Sequence, residues 1–409
     1  MHHKDADFAE SFIYAERAVR TLKIINIKMK RRSKKLACVF LWLFLMIAAA
    51  GSHAIADDHS GFLSVAGPCN LVFPRDHGSH PGYRTEWWYY TGNLEGDSGE
   101  PYGFQLTFFR SQISAPGDEK KWPEPHSAWR TRQVYAGHAA ISDINRKRHL
   151  QSETMARGAL GMAGVSQQAS NTVVFIKNWS AKIETERQLL TAVADHFSYK
   201  LALLPVKPPV LHGQSGYSRK GSTPERASCY YSFSRLKTSG DLTIDGKTIA
   251  VRGSSWMDHE FSTAPLEPGI IGWDWFSLQL SDQTEIMIFL LRKEKGGLSA
   301  VSSGTFIDVS GKPLHLTKED FRVEILDKWE SPRSRAVYPV HWRIRVFPLA
   351  MQLTVRANMS DQEMRTQGTS GVTYWEGSVS ITGSVAEHPV SGKGYAELTG
   401  YARPFDAPM

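Results

Sequence analysis

The segment Trp256-Met257-Asp258-His259-Glu260-Phe261-Ser262 sets two carboxyl groups and an imidazole side by side. Gly272-Trp273-Asp274-Trp275-Phe276 follows shortly after. An imidazole titrates near neutrality, and a carboxylate beside it can orient it or share its proton, which is general acid–base equipment. Asp and Glu are depleted in strands, and charge is buried in a sheet at a cost unless it is paired. Their concentration among indoles predicts a polar site in an aromatic-walled pocket. Strand alternation puts Asp258 and Glu260 on one face and His259 on the other. In the catalytic reading His259 is the general base or acid. Asp258, Glu260 or Asp274 then orients it or handles a second proton, while Trp256, Trp273 and Trp275 hold the substrate. In the structural reading the triplet is a polar network that keeps two domains in register.

Three further segments bring acids close to aromatic rings. Glu86-Trp87-Trp88-Tyr89-Tyr90 places Glu86, Trp88 and Tyr90 on one face of a strand, with Glu86 ready to pair with an arginine such as Arg84. Tyr374-Trp375-Glu376-Gly377 carries Tyr374 and Glu376. In Tyr395 to Tyr401, the residues Tyr395, Glu397, Thr399 and Tyr401 share a face, as a ligand lining or a hydrogen-bonded ladder would. Glu86, Trp88, Tyr90, Tyr374, Glu376 and Glu397 are therefore candidates for substrate binding. Asp76, His77 and His80 are ligand types, and His-x-x-His can hold zinc, but a loop whose polar groups cap one another is the favoured reading and no metal is assigned. The chain has no Gly-x-Ser-x-Gly elbow, Walker loop, dinucleotide fingerprint or Cys-x-x-Cys. This argues against an α/β-hydrolase, an NTPase and a nicotinamide enzyme, and no cofactor is expected.

The elements that must position these residues read as strands and turns. Phe104, Leu106 and Phe108 alternate, as do Val134, Ala136, His138 and Ala140, and again Val173 and Phe175 before Trp179. Asp245-Gly246 is a two-residue hairpin turn. Trp275 to Leu280 and Glu285 to Leu291 form another hairpin, turning at Ser281-Asp282-Gln283. Phe321 to Leu326, Trp342 to Phe347, Met351 to Ala357, Val372 to Ile381 and Tyr395 to Tyr401 repeat the pattern. Thr317 to Asp320 offers one short helical turn, and Ser111 to Trp129 and Gly213 to Ala227 read as loops. Many short strands joined by Gly and Asn/Asp turns predict an all-β sandwich or barrel fold.

The N-terminus sets the compartment. A basic run, Lys28 to Lys35, precedes the uncharged Leu36 to Ala50, and Ala54-Ile55-Ala56 follows as a small-residue cleavage site. This is the pattern of a secretory signal peptide, and the apolar run falls short of the about 20 residues a spanning helix needs. Residues 1–56 are thus read as an N-terminal extension and signal peptide cleaved after Ala56, with Met29 as an alternative start. The protein is expected to be exported, periplasmic or secreted; an inner-membrane anchor by an uncleaved signal is the alternative. Residues 1–56 hold ten Lys/Arg and four Asp/Glu, a net of +6 out of +7 for the whole chain, which leaves about +1 for the rest. The basic pI therefore says nothing for nucleic acid, and no nucleic-acid partner is expected. The remaining 353 residues suit two domains. Pro265 and Pro268 mark a boundary, giving 57–262 and 263–409. Cys69 and Cys229 are free thiols or one disulfide, and an oxidising compartment permits the second.

Taken in order, these motifs resemble the AttH-like predicted secreted hydrolases, relatives of the carotenoid 1,2-hydratases (hydroxyneurosporene synthases). The resemblance runs through Phe73 to His77, Arg84 to Gly92, Trp256 to Ser262, Gly272 to Phe276, Tyr374 to Gly377 and Gly394 to Tyr401. It implies two tandem lipocalin-like antiparallel β-barrel domains. It also implies a histidine at the His259 position working near an aromatic ring, as in acid-catalysed addition of water to C=C. The hydratases add a Tyr-x-Asp whose aspartate is the proton donor. The comparable strand here, Glu285 to Leu290, has no acid at its centre, which argues against carotene hydration and leaves Asp274 as the substitute. The expectation is a hydrolase or hydratase-like enzyme acting on an apolar, lipid- or isoprenoid-type molecule. The alternative is a non-catalytic lipocalin-like carrier of a hydrophobic ligand, with an envelope transport system as a possible partner.

Overall fold

A computed structural model describes residues 61–405 apart from His126, so the signal segment and its cleavage site lie outside the described residues. The described residues form twenty-three strands in two antiparallel sheets. The first half supplies β1 (Thr85–Gly96), β2 (Pro101–Gln112), β3 (Gln133–Asp143), β4 (Arg148–Arg157), β5 (Ala163–Gln168), β6 (Asn171–Ile176) and β7 (Trp179–Ile183). It continues with β8 (Gln188–Val193), β9 (Phe197–Pro205), β10 (Val210–Leu211), β11 (Tyr217–Arg219), β12 (Ala227–Ile244) and β13 (Lys247–Ser262). The second half supplies β14 (Ile270–Leu280), β15 (Glu285–Lys293), β16 (Ser303–Ile307), β17 (Pro313–Leu316) and β18 (Phe321–Glu330). After these come β19 (Val337–Val346), β20 (Met351–Ala357), β21 (Glu363–Thr366), β22 (Val372–Val385) and β23 (His388–Leu398).

The first sheet has the order β4-β3-β2-β1-β13-β12-β9-β8-β7-β6-β5, with β10 and β11 added beside β12. It curls until β3 and β4 approach β5 and β6, which makes it nearly a barrel. The second sheet has the order β17-β16-β15-β14-β23-β22-β20-β19-β18, with β21 beside β22. The all-β, tandem lipocalin-like architecture expected from the sequence is the architecture found. The chain passes from one sheet to the other between Ser262 and Ile270.

Alternation decides which residues fill each interior. In the first sheet Trp88, Tyr90, Phe104, Leu106, Phe108, Tyr199 and Tyr231 point inward and pack together. In the second, Phe276, Leu278, Ile288, Trp342, Ile344, Trp375 and Leu398 do the same. Each such side chain, fully buried, contributes about 1.5–3 kcal/mol. The opposite faces of β1, β12, β13 and β14 meet in a third apolar cluster of Tyr89, Tyr230, Trp256, Trp275 and Tyr395. Strands from both halves therefore build it, since Tyr89 is on β1 and Trp275 on β14.

Local chemistry explains the turns. Asp245 and Gly246 both take positive φ, at 48° and 80°, as a twist-matched two-residue hairpin requires. Lys318–Asp320 is a single helical turn closed by a capping box from Thr317. Gly213 to Ala227, read as a loop, contains the short strand β11, because Tyr217 to Arg219 finds a free edge on β12. The stretch from Ser111 to Trp129, read as a loop, first completes β2 through Gln112 and then holds one helical turn, Asp118–Lys121. Tyr401 departs from the expected face. Gly400 adopts φ of 83° just past the end of β23, and Tyr401 swings to the other side, where its hydroxyl donates to Asp274. Cys69 and Cys229 form a disulfide that ties the segment before β1 to β12.

Candidate active site

Strand β13 carries two different polar clusters, one on each face. Register places Trp88 opposite His259, and Tyr89 opposite Asp258. His259 therefore points into the first barrel, while Asp258 and Glu260 point toward the second sheet. The two faces separate the imidazole from the carboxyls that the sequence offered as its partners.

Inside the barrel, His259 is fully buried and stacks on Trp88 at 4.7 Å. Its Nε2 lies 2.8 Å from Glu86 Oε1, and its Nδ1 3.0 Å from the Tyr231 hydroxyl. His80 Nδ1 meets the same Glu86 oxygen at 2.7 Å, and Arg110 Nε donates to the other at 2.8 Å. Burial by itself would raise the pKa of Glu86. Hydrogen bonds from His259 and His80 and the Arg110 charge overcome it and hold the carboxyl well below the usual range. Burial pushes the His259 imidazole down against the pull of Glu86. The arginine that pairs with Glu86 is thus Arg110, directly opposite it on β2; Arg84 instead lies over the Phe62 ring. Asp76 accepts from Val72 N, Arg75 and His80, so the segment around it does cap itself. Ligand atoms of His80, Glu86 and His259 lie within 4.8 Å of one another, close enough for one ion to reach all three. The Arg110 guanidinium on that carboxylate opposes a cation there.

Between the sheets lies a cavity of about 330 Å³, within reach of a small ligand. Trp87, Tyr89, Phe109, Trp273, Trp275 and Phe289 wall it, and Asp258, Glu260, Glu376 and Glu397 supply carboxyl groups. Asp258 accepts from the Tyr230 hydroxyl at 2.8 Å, from Trp256 Nε1 at 2.5 Å and from the Ser232 hydroxyl. Burial nevertheless raises it to about 7. Glu397 accepts from Trp273 Nε1 at 3.2 Å and Thr399 Oγ1 at 3.0 Å, and burial raises it, too, to about 7. Glu376 lies directly opposite Glu397 across β22 and β23. Burial and the charge of Glu397 push Glu376 well above the carboxylate range. Glu260 has a cation: Lys220 Nζ is 2.9 Å away, seated 4.2 Å above the Phe289 ring.

The sequence candidates therefore divide. Asp258, Glu260, Trp273, Trp275, Tyr374, Glu376 and Glu397 come together around one cavity. Trp256 stands behind it, edge-on to Trp275 at 6.2 Å. His259, Trp88 and Tyr90 belong to the barrel interior, where the Tyr90 hydroxyl donates to Gln188 at 2.8 Å. Glu86 borders the cavity, but its carboxylate is spent on His259, His80 and Arg110. Asp274 faces the second barrel, paired with Arg292 at 2.9 Å. It cannot exchange protons with His259, which points into the other barrel.

Several lining residues had no clear signal in the sequence. Tyr89 stands in the aromatic strand, where alternation shows two faces without showing which one meets the second sheet. Lys220 sits in a stretch with no periodicity. His138 looks like one member of an alternating strand, yet its Nδ1 lies 3.0 Å from the Tyr374 hydroxyl at the cavity wall, and burial drives its value down to about 3. Behind Asp258, His212 Nε2 meets Ser232 Oγ at 2.6 Å and His212 Nδ1 meets Thr305 Oγ1 at 2.9 Å.

Fold and cavity together define a tandem β-barrel protein of lipocalin-like build with an acidic, aromatic-walled cavity between its sheets. The AttH-like family model matches residues 64–401, and the chain belongs to that family. The crystal structure of an AttH protein from Nitrosomonas europaea is 32% identical, with a TM-score of 0.73 over 83% of this chain and 100% of that one. Kievitone hydratase from Nectria haematococca shares the fold at 16% identity, with a TM-score of 0.60 over 84% of this chain and 96% of the other. No curated protein sequence matches the chain.

Proposed function

We propose that this protein is an exported enzyme of the hydratase or hydrolase type that works by proton transfer on an apolar small molecule. The observation that carries this reading is the cavity itself: Asp258 and Glu397, both raised by burial to about 7, face an aromatic-walled space. Near neutrality one such group is protonated while the other is ionised, so a single site holds an acid and a base. In hydration, the acid delivers its proton to one alkene carbon. The carboxylate takes a proton from water as the water oxygen bonds to the other carbon. In hydrolysis, the same pair protonates the leaving group and activates the water. Lys220 pairs with Glu260 and fixes it beside them. The kinship of the fold with a hydratase is compatible with this chemistry. The Cys69–Cys229 bond fits an oxidising compartment and so supports export.

His259 in this reading is a positioning residue, because its two ring nitrogens are engaged by Glu86 and Tyr231. The test is mass spectrometry of small molecules bound to the protein recovered from its native host. Wild type, Asp258→Asn and Glu397→Gln are compared. A compound that accumulates in the two variants and is converted by wild type, with a bell-shaped pH profile centred near 7, is the expected result. The same intact compound in all three proteins would make the molecule a carrier.

A further inference from the structure

Besides Glu86, four carboxyls line the cavity, and three of them are satisfied by the protein. Asp258 has Tyr230, Trp256 and Ser232; Glu260 has Lys220 and Ser228; Glu397 has Trp273 and Thr399. Glu376 differs. Its Oε1 is buried and has no hydrogen-bond partner among the described residues, and the same holds for the Tyr89 hydroxyl. Tyr89 and Tyr374 are the hydroxyl groups that face Glu376. Tyr89 reaches the cavity from β1 and Glu376 from β22, so one comes from each sheet. A buried polar atom left unpartnered costs about 1–3 kcal/mol. Two such atoms, near each other in the wall of one buried cavity, point to a ligand atom that pairs with both.

The charge state identifies that atom. Glu397 stands opposite Glu376 on the neighbouring strand, and two carboxylates side by side in an apolar site cannot both ionise. Glu376 has only the Tyr89 and Tyr374 hydroxyls near it, and burial and the Glu397 charge outweigh them, so it keeps its proton and offers an O–H. Tyr89, buried in the same wall, offers another. Two neutral O–H donors converging in a dry site match an oxygen that gains negative charge during reaction, as a carbonyl does on becoming an enolate. A pre-existing carboxylate or phosphate would meet four acidic side chains.

We propose that Tyr89 and Glu376 form a neutral donor pair for a carbonyl oxygen, and that the substrate class is an apolar α,β-unsaturated carbonyl compound. This rests on the acid–base reading of the same cavity. Water then adds in the conjugate sense. Its oxygen bonds to the β carbon as one of the two ionisable carboxylates takes its proton. The C=C electron pair moves toward the carbonyl, and Tyr89 and Glu376 hold the enolate oxygen. The other carboxyl group protonates the α carbon, and a β-hydroxy carbonyl leaves. Dehydration is the same path reversed.

Benzylideneacetone, an aromatic enone, and its diene isostere, in which a methylene replaces the carbonyl oxygen, are the probes. Binding is followed by tryptophan quenching, and the bound ketone by its infrared carbonyl stretch. Wild type is expected to prefer the enone at least ~10-fold and to lower its carbonyl frequency. Tyr89→Phe, which keeps the ring and its packing, and Glu376→Ala should lose that preference while holding the diene as before. Equal binding of both probes to wild type overturns the donor pair and leaves the apolar cavity standing. Binding of neither probe overturns the donor pair and the small-molecule site together. A preference for the enone that survives both substitutions assigns the carbonyl contact elsewhere and also overturns the proposal.

Discussion

Asp258 accepts three hydrogen bonds and still keeps its proton to about pH 7, because burial outweighs the donors. That has a consequence for stability. In the unfolded chain the group titrates near 3.8, and folding raises it to about 7. The folded state therefore holds the proton more tightly, and Asp258 favours folding below about pH 4. The contribution is lost as pH climbs through 7. Asp258→Asn removes the titration and nearly preserves the shape. Relative to wild type, the variant should gain stability between pH 4 and pH 8 by up to about 4 kcal/mol, measured by urea unfolding at both values. A pH-independent difference would mean that Asp258 ionises freely and is not the site's acid. At this scale the sequence disclosed which side chains were ionisable and that His259 faces away from its neighbours. It did not disclose that Glu86, Arg110 and His80, scattered along the chain, would take possession of His259. That depends on three strands and a loop meeting, and on the cost of leaving any one of those charges unpaired.

At the scale of elements, β13 and β14 each work as two-sided devices. One face of each belongs to a barrel core and the other to the cavity. Alternation made this legible from the sequence: Trp273 and Trp275 share a face, and so do Asp258 and Glu260. Where alternation fails, the backbone explains it. Gly272 takes φ of 157°, and a Cβ there would meet the Thr399 carbonyl oxygen at 2.0 Å. Gly400 answers it on the other chain segment, and between them Trp273 and Thr399 exchange backbone hydrogen bonds. Gly272→Ala must push these segments apart and is expected to cost about 1–3 kcal/mol. It should also weaken Glu397's contact with the Trp273 indole, visible as a loss of near-ultraviolet circular dichroism. Unfolding at the wild-type denaturant midpoint would show that this junction tolerates a side chain. The same junction explains why Tyr401 was misplaced by a simple alternation from Tyr395: the strand ends at Leu398, and a glycine then reverses the facing.

For the molecule as a whole, the Cys69–Cys229 bond spans 160 residues of chain. It fastens the segment that carries His77 and His80 against β12, next to the Glu86 network. Closing so long a loop restricts the unfolded chain strongly, and such a bond typically contributes about 2–5 kcal/mol. The paired Cys69→Ser and Cys229→Ser variant, or wild type under reductant, should melt several degrees lower than oxidised wild type in calorimetry. Equal melting would show that the first barrel holds this segment without the bond.

The sequence by itself determined the all-β class, most of the strands, the two-faced character of β1 and β13, and the family motifs. These follow from local physics: a period of two, turn residues with positive φ, and acids that have no reason to sit in strands unless they are used. It also named most of the cavity's carboxyls and indoles, though not the role of each. The tertiary structure decided which face of each strand meets the other sheet. On that choice depends whether an acid near aromatic rings is paired and charged, as Glu86 is by Arg110, or buried and protonated, as Glu376 is beside Glu397. A side chain's charge in a sheet is set by partners that lie far away in sequence, and only the packed strands bring them within reach.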